Sequence, residues 1–262
     1  MAIETFNRFE NKYLIDETIF NRLQAQFANK MKLDDYNPNG NSYTISNLYY
    51  DTDDNQLIRN SLAKPKYKEK LRLRAYGVPT SPDEIVYVEI KRKSGGLVNK
   101  RRSALELQQA YNYLESKTLP EEGNGQNRQV LKEIGWLLQT QKLSPALYLA
   151  YDRIAYFGIE EADLRISFDR KLRTRRYDLA LEAGDHGTNL LEDNQILMEI
   201  KVARSLPLWL AGILSREKIY PISFSKYGVE YQNMLKNKQL ANTLFHFQPL
   251  DSAFREFAKA AV

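Results

Sequence analysis

Residues 64–102 read KPKYKEKLRLRAYGVPTSPDEIVYVEIKRKSGGLVNKRR, and the rest of the predicted sheet is organised around them. This stretch holds twelve Lys or Arg and four Asp or Glu, a net charge of +8, whereas the whole chain of 262 residues carries only +5. Charged and apolar residues alternate over 70–74 and 88–91, which is typical of β-strands with one charged and one apolar face. A face so dense in one sign is costly unless an anion lies against it. The stretch therefore predicts strands whose charged face binds an anion.

The composition limits the class of protein and its compartment. With 43% hydrophobic and 27% charged residues, the chain is typical of globular proteins. The absence of cysteine excludes disulfides, thiolate nucleophiles and cysteine-ligated zinc. The first residues lack the pattern of a secretory signal, and no apolar run approaches the roughly 20 residues of a membrane span. We expect a soluble cytoplasmic protein that reaches a membrane only through a partner.

Periodicity predicts an α+β protein with at least seven strands, nearly all antiparallel. Three strands form a meander over 66–105, and the others are expected at 8–15, 42–51, 146–157, 164–175 and 195–202. Helices are expected after Asp16 and over 53–62, 207–214 and 225–237. Residues 106–142 read as a helical insertion and 250–262 as a C-terminal helix, within a single domain over 1–262.

An internal echo links two distant strands. The pattern apolar-Glu-Ile-Lys occurs at 88–91 and again at 198–201, and each copy places a carboxylate and an ammonium on one strand face. Two arrangements fit such strands. The charged faces form the solvated outside of a sandwich, or they line the lumen of a barrel whose apolar outside is covered by helices. The apolar helix faces favour the barrel, because they need an apolar surface to pack on.

A lumen rich in Arg and Lys with two or three Glu suits a polyanion that arrives with a divalent metal. Arg and Lys bind phosphate oxygens, and carboxylates hold ions that bridge phosphates. The chain has no Gly-rich phosphate-binding fingerprint of the P-loop or dinucleotide type. Any phosphate chemistry therefore depends on the charged strands.

A series of motifs resembles one family in order and approximate spacing, over about residues 6 to 236. The motifs are RFENKYL at 8–14, SNLYYDT at 46–52, the basic stretch at 64–77, VEIKRK at 88–93, VNKRR at 98–102, YDR at 151–153, LRISFD at 164–169, MEIK at 198–201 and FSKYG at 224–228. Together they resemble the vacuolar transporter chaperone (VTC) domain, a polyphosphate polymerase domain of the triphosphate tunnel metalloenzyme (CYTH-like) superfamily.

The resemblance implies an eight-stranded antiparallel β-barrel tunnel with a charged lumen and peripheral helices. It implies a metal-dependent transferase that moves the γ-phosphate of ATP onto inorganic polyphosphate, with Mn²⁺ or Mg²⁺ as cofactor. A membrane-protein partner for polyphosphate export fits the same family, and no DNA partner is expected.

The resemblance also implies roles for single residues. The catalytic set is Arg72, Arg74, Lys91 and Arg153. The substrate-binding set is Lys12, Lys70, Lys100, Arg102, Arg165, Lys201 and Lys226. Glu199 resembles the metal ligand, and Glu89 and Glu10 are further metal candidates. Arg8 stands where the hydrolase branch of the superfamily often has a Glu, which favours the polymerase branch.

Two alternatives remain at this point. One is a tripolyphosphatase or nucleoside triphosphatase on the same fold, and the other is a non-catalytic polyphosphate- or RNA-binding module. RNA binding requires aromatic residues on the charged face, whereas Tyr49, Tyr50, Tyr67 and Tyr76 are interpreted as packing residues. His186 and His246 are expected to lie outside any chemistry.

Overall fold

The computed structural model describes residues 9–34, 39–95, 97–121 and 126–246. The chain divides into two compact units, Met1–Phe224 and Ser225–Val262. The second unit contains the helix α6 (Lys226–His246), which runs longer than predicted. The predicted helix at 250–262 lies outside the described residues, and the prediction of one domain over 1–262 stays a prediction. Within the described part of the chain, no helix is both long and apolar enough to cross a membrane.

In its described residues, the first unit combines ten strands with five helices, which confirms the α+β prediction. The strands are β1 (Phe9–Asp16), β2 (Met31–Leu33), β3 (Tyr43–Asp51), β4 (Tyr67–Tyr76), β5 (Ile85–Ser94), β6 (Leu97–Glu106), β7 (Ser144–Gly158), β8 (Arg165–Arg175), β9 (Thr188–Asn189) and β10 (Gln195–Val202). The helices are α1 (Glu17–Phe27), α2 (Gln56–Leu62), α3 (Leu107–Ser116), α4 (Arg128–Thr140) and α5 (Leu208–Arg216). Sequence analysis missed β2 and β9 because two or three residues are too few to show alternation.

All ten strands belong to one sheet, with a path of eight in the order β1-β10-β8-β7-β3-β4-β5-β6 and with β2 on β7 and β9 on β8. Every strand pair is antiparallel, and β4, β5 and β6 form the predicted meander. The expected closure into a barrel is not confirmed, since β1 and β6 do not pair in the described residues. Ile222 forms an isolated bridge with the outer edge of β1, where the Lys12 carbonyl accepts a hydrogen bond from the Ile222 amide at 2.7 Å.

One face of the sheet carries two apolar cores. Side chains of β3 to β7, among them Leu71, Leu73, Val88 and Ile90, pack with α3 and α4. Side chains of β1, β10, β8 and β7 pack with α1 and α5. Each large side chain buried in this way stabilises the fold by about 1.5–3 kcal/mol. The apolar face thus lies under helices, as the alternation predicts, and charged residues occupy the opposite face.

The sheet curves around its charged face. In a flat sheet, six strand spacings would hold β1 and β5 about 29 Å apart, too far for their charges to interact through salt water. Burial would raise the pKa of Glu10 on β1, yet Lys201 and then Lys91 on β5 outweigh it, and that pKa is lowered. The charge of Lys12 on β1 likewise helps to lower the pKa of Lys70 on β4. Only curvature brings these strands within reach of each other.

Candidate functional site

The charged face collects ten of the predicted site cations from seven strands. Register and the two-residue period place them on one side of the sheet. They are Lys12, Lys70, Arg72, Arg74, Lys91, Lys100, Arg102, Arg153, Arg165 and Lys201. The charged face has two parts of different balance. We define the cationic half as the side chains of β4, β5 and β6, and the balanced half as those contributed by β1, β10, β8 and β7 with Asp34.

The cationic half places six of these cations around one carboxylate, Glu89. Glu89 is 1% exposed. Its Oε2 accepts a hydrogen bond from Arg72 Nε at 2.7 Å and lies 4.0 Å from Arg74 Nε, and its Oε1 lies 2.9 Å from Lys100 Nζ. Burial opposes ionisation of Glu89, but Arg72, Arg74 and Lys100 outweigh it and hold its pKa well below the usual value. Because one anion meets several cations, this half retains excess positive charge for a further anion.

Two lysines of the cationic half have lowered pKa values. Burial lowers the pKa of Lys100 to about 7, even though Glu89 opposes the shift. Burial also lowers the pKa of Lys70 to about 8, with Lys91 and Lys12 adding repulsion and Tyr49 opposing it. Cations crowded in this way gain from a polyanion, which restores the charged form of each ammonium.

Side chains of β3 and β7 that sequence analysis missed hold the two arginines. Arg72 Nη1 donates to Tyr49 Oη at 3.2 Å. Arg74 donates from Nε to Asn47 Oδ1 and from Nη2 to Tyr151 Oη, both at 3.0 Å. The sequence of β3 indicated these partners, because the polar Asn47 lies between Ile45 and Tyr49 on one strand face. Such neutral partners orient a guanidinium without neutralising it.

Tyr49 and Tyr76 lie on the charged face, although they were expected to face away from it, and Tyr49 is at the same time buried as a packing residue is. Tyr49 contacts Arg72 on the charged face, and Tyr76, 40% exposed, lies on that face at the end of β4. Tyr50 packs in the apolar core, as interpreted, whereas Tyr67 is 49% exposed. The argument against aromatic contacts on the charged face therefore does not hold.

The balanced half contains ion pairs in which cations and carboxylates are nearly matched. Arg153 donates two hydrogen bonds to the buried Asp169, from Nε at 2.6 Å and from Nη2 at 2.8 Å. Arg165 Nη2 lies 3.4 Å from Asp34 Oδ2, which also accepts from Tyr43 Oη at 3.3 Å. Asp169 lies on β8 and Asp34 directly follows β2. Because both aspartates are held by strands, their ion pairs orient Arg153 and Arg165 on the charged face.

Glu199 lies among three cations of the balanced half at longer range. It is 6% exposed, and its carboxylate oxygens lie 3.7 Å from Lys12 Nζ, 3.6 Å from Arg153 Nη2 and 3.4 Å from Lys201 Nζ. Lys12 Nζ is also 3.4 Å from Glu10. Burial and the charge of Glu199 oppose ionisation of Glu10, but Lys201, Lys91 and Lys12 outweigh them and lower its pKa. Glu10 and Glu199 are therefore two neighbouring carboxylates that share their cations.

The donor set limits where a divalent cation would fit. In the described residues no cluster of three or more His, Cys, Asp or Glu is suited to a metal. Mg²⁺ in phosphoryl-transfer sites commonly uses one or two carboxylates together with substrate phosphates. The pair Glu199 and Glu10 fits an ion that arrives with a phosphate ligand. Glu89 contacts Arg72 and Lys100 through its two oxygens, and its role as a metal ligand stays a prediction.

Lys226 and the two histidines are the remaining positions that the sequence singles out. Lys226 is the first residue of α6, in the second compact unit, and its role stays a prediction. His186 lies in the exposed loop before β9, with Nε2 4.0 Å from Asp178 Oδ2. The side chain of His246 lies outside the described residues.

Comparisons with known proteins bear on the family and the fold of this chain. The family model of the VTC domain matches residues 7–235. A putative adenylate cyclase from Bacillus halodurans has a similar crystal structure, with a TM-score of 0.50 and 19% identity over 82% of this chain and 92% of that one. A Vibrio parahaemolyticus structure described in the same words gives a TM-score of 0.44 and 12% identity over 87% and 98% of the two chains. The search of curated proteins found no significant match.

Proposed function

Because the chain belongs to the VTC domain family, we propose that it is a metal-dependent polyphosphate polymerase. It transfers the γ-phosphoryl group of ATP onto the end of an inorganic polyphosphate chain. The observation that carries the proposal is the cationic half, where six site cations of β4, β5 and β6 share a strand face with Glu89, which pairs with Arg72, Arg74 and Lys100. A phosphate chain supplies the negative charge that this surface lacks.

The residues of the charged face divide the work of phosphoryl transfer. Arg72, Arg74 and Lys91 bind the oxygens of the triphosphate, and Arg153 approaches the transferred group from the balanced half. Arginine suits this role because its fork of N–H groups binds two phosphate oxygens at once. The contacts of Arg72 with Glu89 and Tyr49 use three of its five N–H groups, so donors remain on Nη1 and Nη2.

The reaction is an in-line displacement at the γ-phosphorus. A terminal oxygen of polyphosphate forms the new P–O bond, the bond to the β–γ bridging oxygen breaks, and ADP leaves with that electron pair. The attacking oxygen is already anionic at neutral pH, so no side chain has to accept a proton. Catalysis then consists of positioning and of stabilising charge on the equatorial oxygens.

Glu199, with Glu10, would hold Mn²⁺ or Mg²⁺, whose positive charge offsets the charge of the phosphates. In the same ligand-bound state, Lys12 and Lys201 exchange part of their contact with these carboxylates for contact with phosphate. The cations around Glu199 thus serve either the carboxylates or the substrate.

The direct test is polymer growth. The purified protein is incubated with ATP, Mn²⁺ and a short polyphosphate primer, and chain length is read by gel electrophoresis. We expect the primer to lengthen and ADP to appear in equal amount to the phosphate incorporated. No growth across a range of metals and primers contradicts the proposal, and release of orthophosphate from tripolyphosphate without growth identifies a hydrolase instead.

A further inference from the structure

Three tyrosines gather at one end of the charged face. The ring centroids of Tyr43 and Tyr76 are 6.5 Å apart, and those of Tyr76 and Tyr87 are 5.7 Å apart with an interplanar angle of 87°. They come from β3, β4 and β5 in turn, and we call them the tyrosine cluster. Each shares its strand face with charged or polar site residues and not with the apolar core.

The tyrosine cluster directly adjoins the cations assigned to phosphate binding. Tyr76 follows Arg74 by two residues on the same face of β4, a distance of about 7 Å along the strand. Tyr87 is the register partner of Arg74 on β5. A ligand whose phosphates lie on Arg72 and Arg74 therefore reaches the cluster within the length of one nucleotide.

Arg102 links the cluster to the cationic half. Its guanidinium carbon lies 4.7 Å from the centroid of the Tyr87 ring, and its Nη1 lies 3.5 Å from Tyr76 Oη. A guanidinium beside aromatic rings is a common setting for stacking of flat, electron-rich groups. Arg102 therefore has surroundings suited to a flat ring as well as to a phosphate.

The exposure of Tyr76 points to a ligand rather than to packing. Its side of β4 faces away from the helices, and 40% of its surface is accessible although its neighbours Leu73 and Ala75 are almost fully buried. Tyrosine in this position offers ring surface at the end of a polar site. Proteins use aromatic rings beside a cationic site in this way to stack on a nucleobase, whichever base it is.

We propose that the tyrosine cluster with Arg102 binds the nucleobase of ATP by stacking, while the triphosphate lies along Arg74 and Arg72. The inference rests on the proposed function and adds the position of the nucleoside. It distinguishes the donor ATP, which has a base, from the polyphosphate chain, which has none.

The test compares two ligands on matched variants. Dissociation constants of ATP and of inorganic tripolyphosphate are measured by calorimetry for the wild type, Tyr76→Ala, Tyr76→Phe and Tyr67→Ala. Tyr67 is the matched control, since it is 49% exposed on the same strand but on the opposite face. We expect Tyr76→Ala to weaken ATP about tenfold and to leave tripolyphosphate within twofold. Tyr76→Phe and Tyr67→Ala should leave both ligands within twofold.

Each other outcome overturns the proposal. If Tyr76→Ala weakens the binding of ATP and of tripolyphosphate equally, the tyrosine cluster only supports the phosphate site. If Tyr76→Ala weakens the binding of neither ligand, the nucleobase does not bind at the cluster. A wild type that binds ATP no more tightly than tripolyphosphate contradicts stacking of the base but leaves the proposed function intact. A wild type that binds neither ligand contradicts the proposed function as well.

Discussion

The strands β5 and β10 carry the same motif, apolar-Glu-Ile-Lys, in two different surroundings. Glu89 contacts Arg72 and Lys100 at hydrogen-bonding distance, whereas Glu199 has its cations at 3.4 to 3.7 Å. The isoleucines of the two copies are equally buried, Ile90 in one core and Ile200 in the other. The motif therefore fixes which side chain faces which way, and neighbouring strands decide what each carboxylate does.

From these contacts we propose that Glu89 mainly holds its neighbouring cations in place and that Glu199 exchanges partners when a ligand binds. A carboxylate locked by short contacts to arginine is costly to release, because the buried cations would lose their counter-charge. A carboxylate with longer contacts exchanges partners more readily.

Truncation of the shared isoleucine should have the same large effect in both copies. Ile90→Ala and Ile200→Ala each leave a cavity in a packed core and should lower the free energy of unfolding by about 2–5 kcal/mol. Urea denaturation measures both values. A loss below about 1 kcal/mol in one variant alone would show that the two copies are not equivalently packed.

Removal of charge should separate the two glutamates. Glu89→Gln should lower the free energy of unfolding by about 3 kcal/mol, because the buried Arg74 and the half-buried Arg72 then lie beside a neutral amide. Glu199→Gln should cost clearly less, since its contacts are longer. Equal losses in urea denaturation at pH 7 would contradict the assigned difference.

The contribution of Glu89 should also depend on pH. Its folded-state pKa is lowered below the ordinary value of 4.5, so its stabilisation is present above about pH 4.5 and is lost as pH falls through the lowered pKa. The difference in unfolding free energy between wild type and Glu89→Gln should therefore shrink below about pH 4.5. A difference that stays constant down to pH 3 would contradict this origin.

The rate of phosphoryl transfer should depend more strongly on Glu199 than on Glu89, the reverse of the order expected for stability. Glu199→Gln should reduce phosphoryl transfer by about a hundredfold or more and raise the Mn²⁺ concentration that is needed, because a metal-binding carboxylate is lost. Asp185→Asn is a suitable control, since Asp185 contacts Arg173 away from the charged face. Retention of full activity in folded Glu199→Gln would refute the metal role of this residue.

The smallest expected effect is a pH dependence of anion binding. Lys100 and Lys70, with pKa values of about 7 and about 8, lose positive charge as pH rises through this range. Tripolyphosphate affinity should then fall several-fold between pH 7 and pH 9, and Lys100→Arg should flatten the lower part of that curve because arginine stays charged. A profile identical in Lys100→Arg and wild type would exclude a contribution from Lys100.

Much of this molecule follows from two-residue alternation. Alternation in β4 and β5 correctly predicted that Leu71 and Val88 pack under helices and that Arg72 and Glu89 share the other face. Long-range partners escaped the sequence, because the contact of Arg74 with Tyr151 depends on strand order. The sequence also did not predict that the outer edge of β1 is bridged by Ile222, because Ile222 lies in a segment without a strand pattern.

A crystal structure with inorganic tripolyphosphate would show whether the charged face binds a phosphate chain. We expect phosphate oxygens within hydrogen-bonding distance of Arg72, Arg74 and Lys91, with Glu89 still held by Arg72. Tripolyphosphate bound only outside the charged face, with the side chains of that face in contact with water alone, would contradict this expectation.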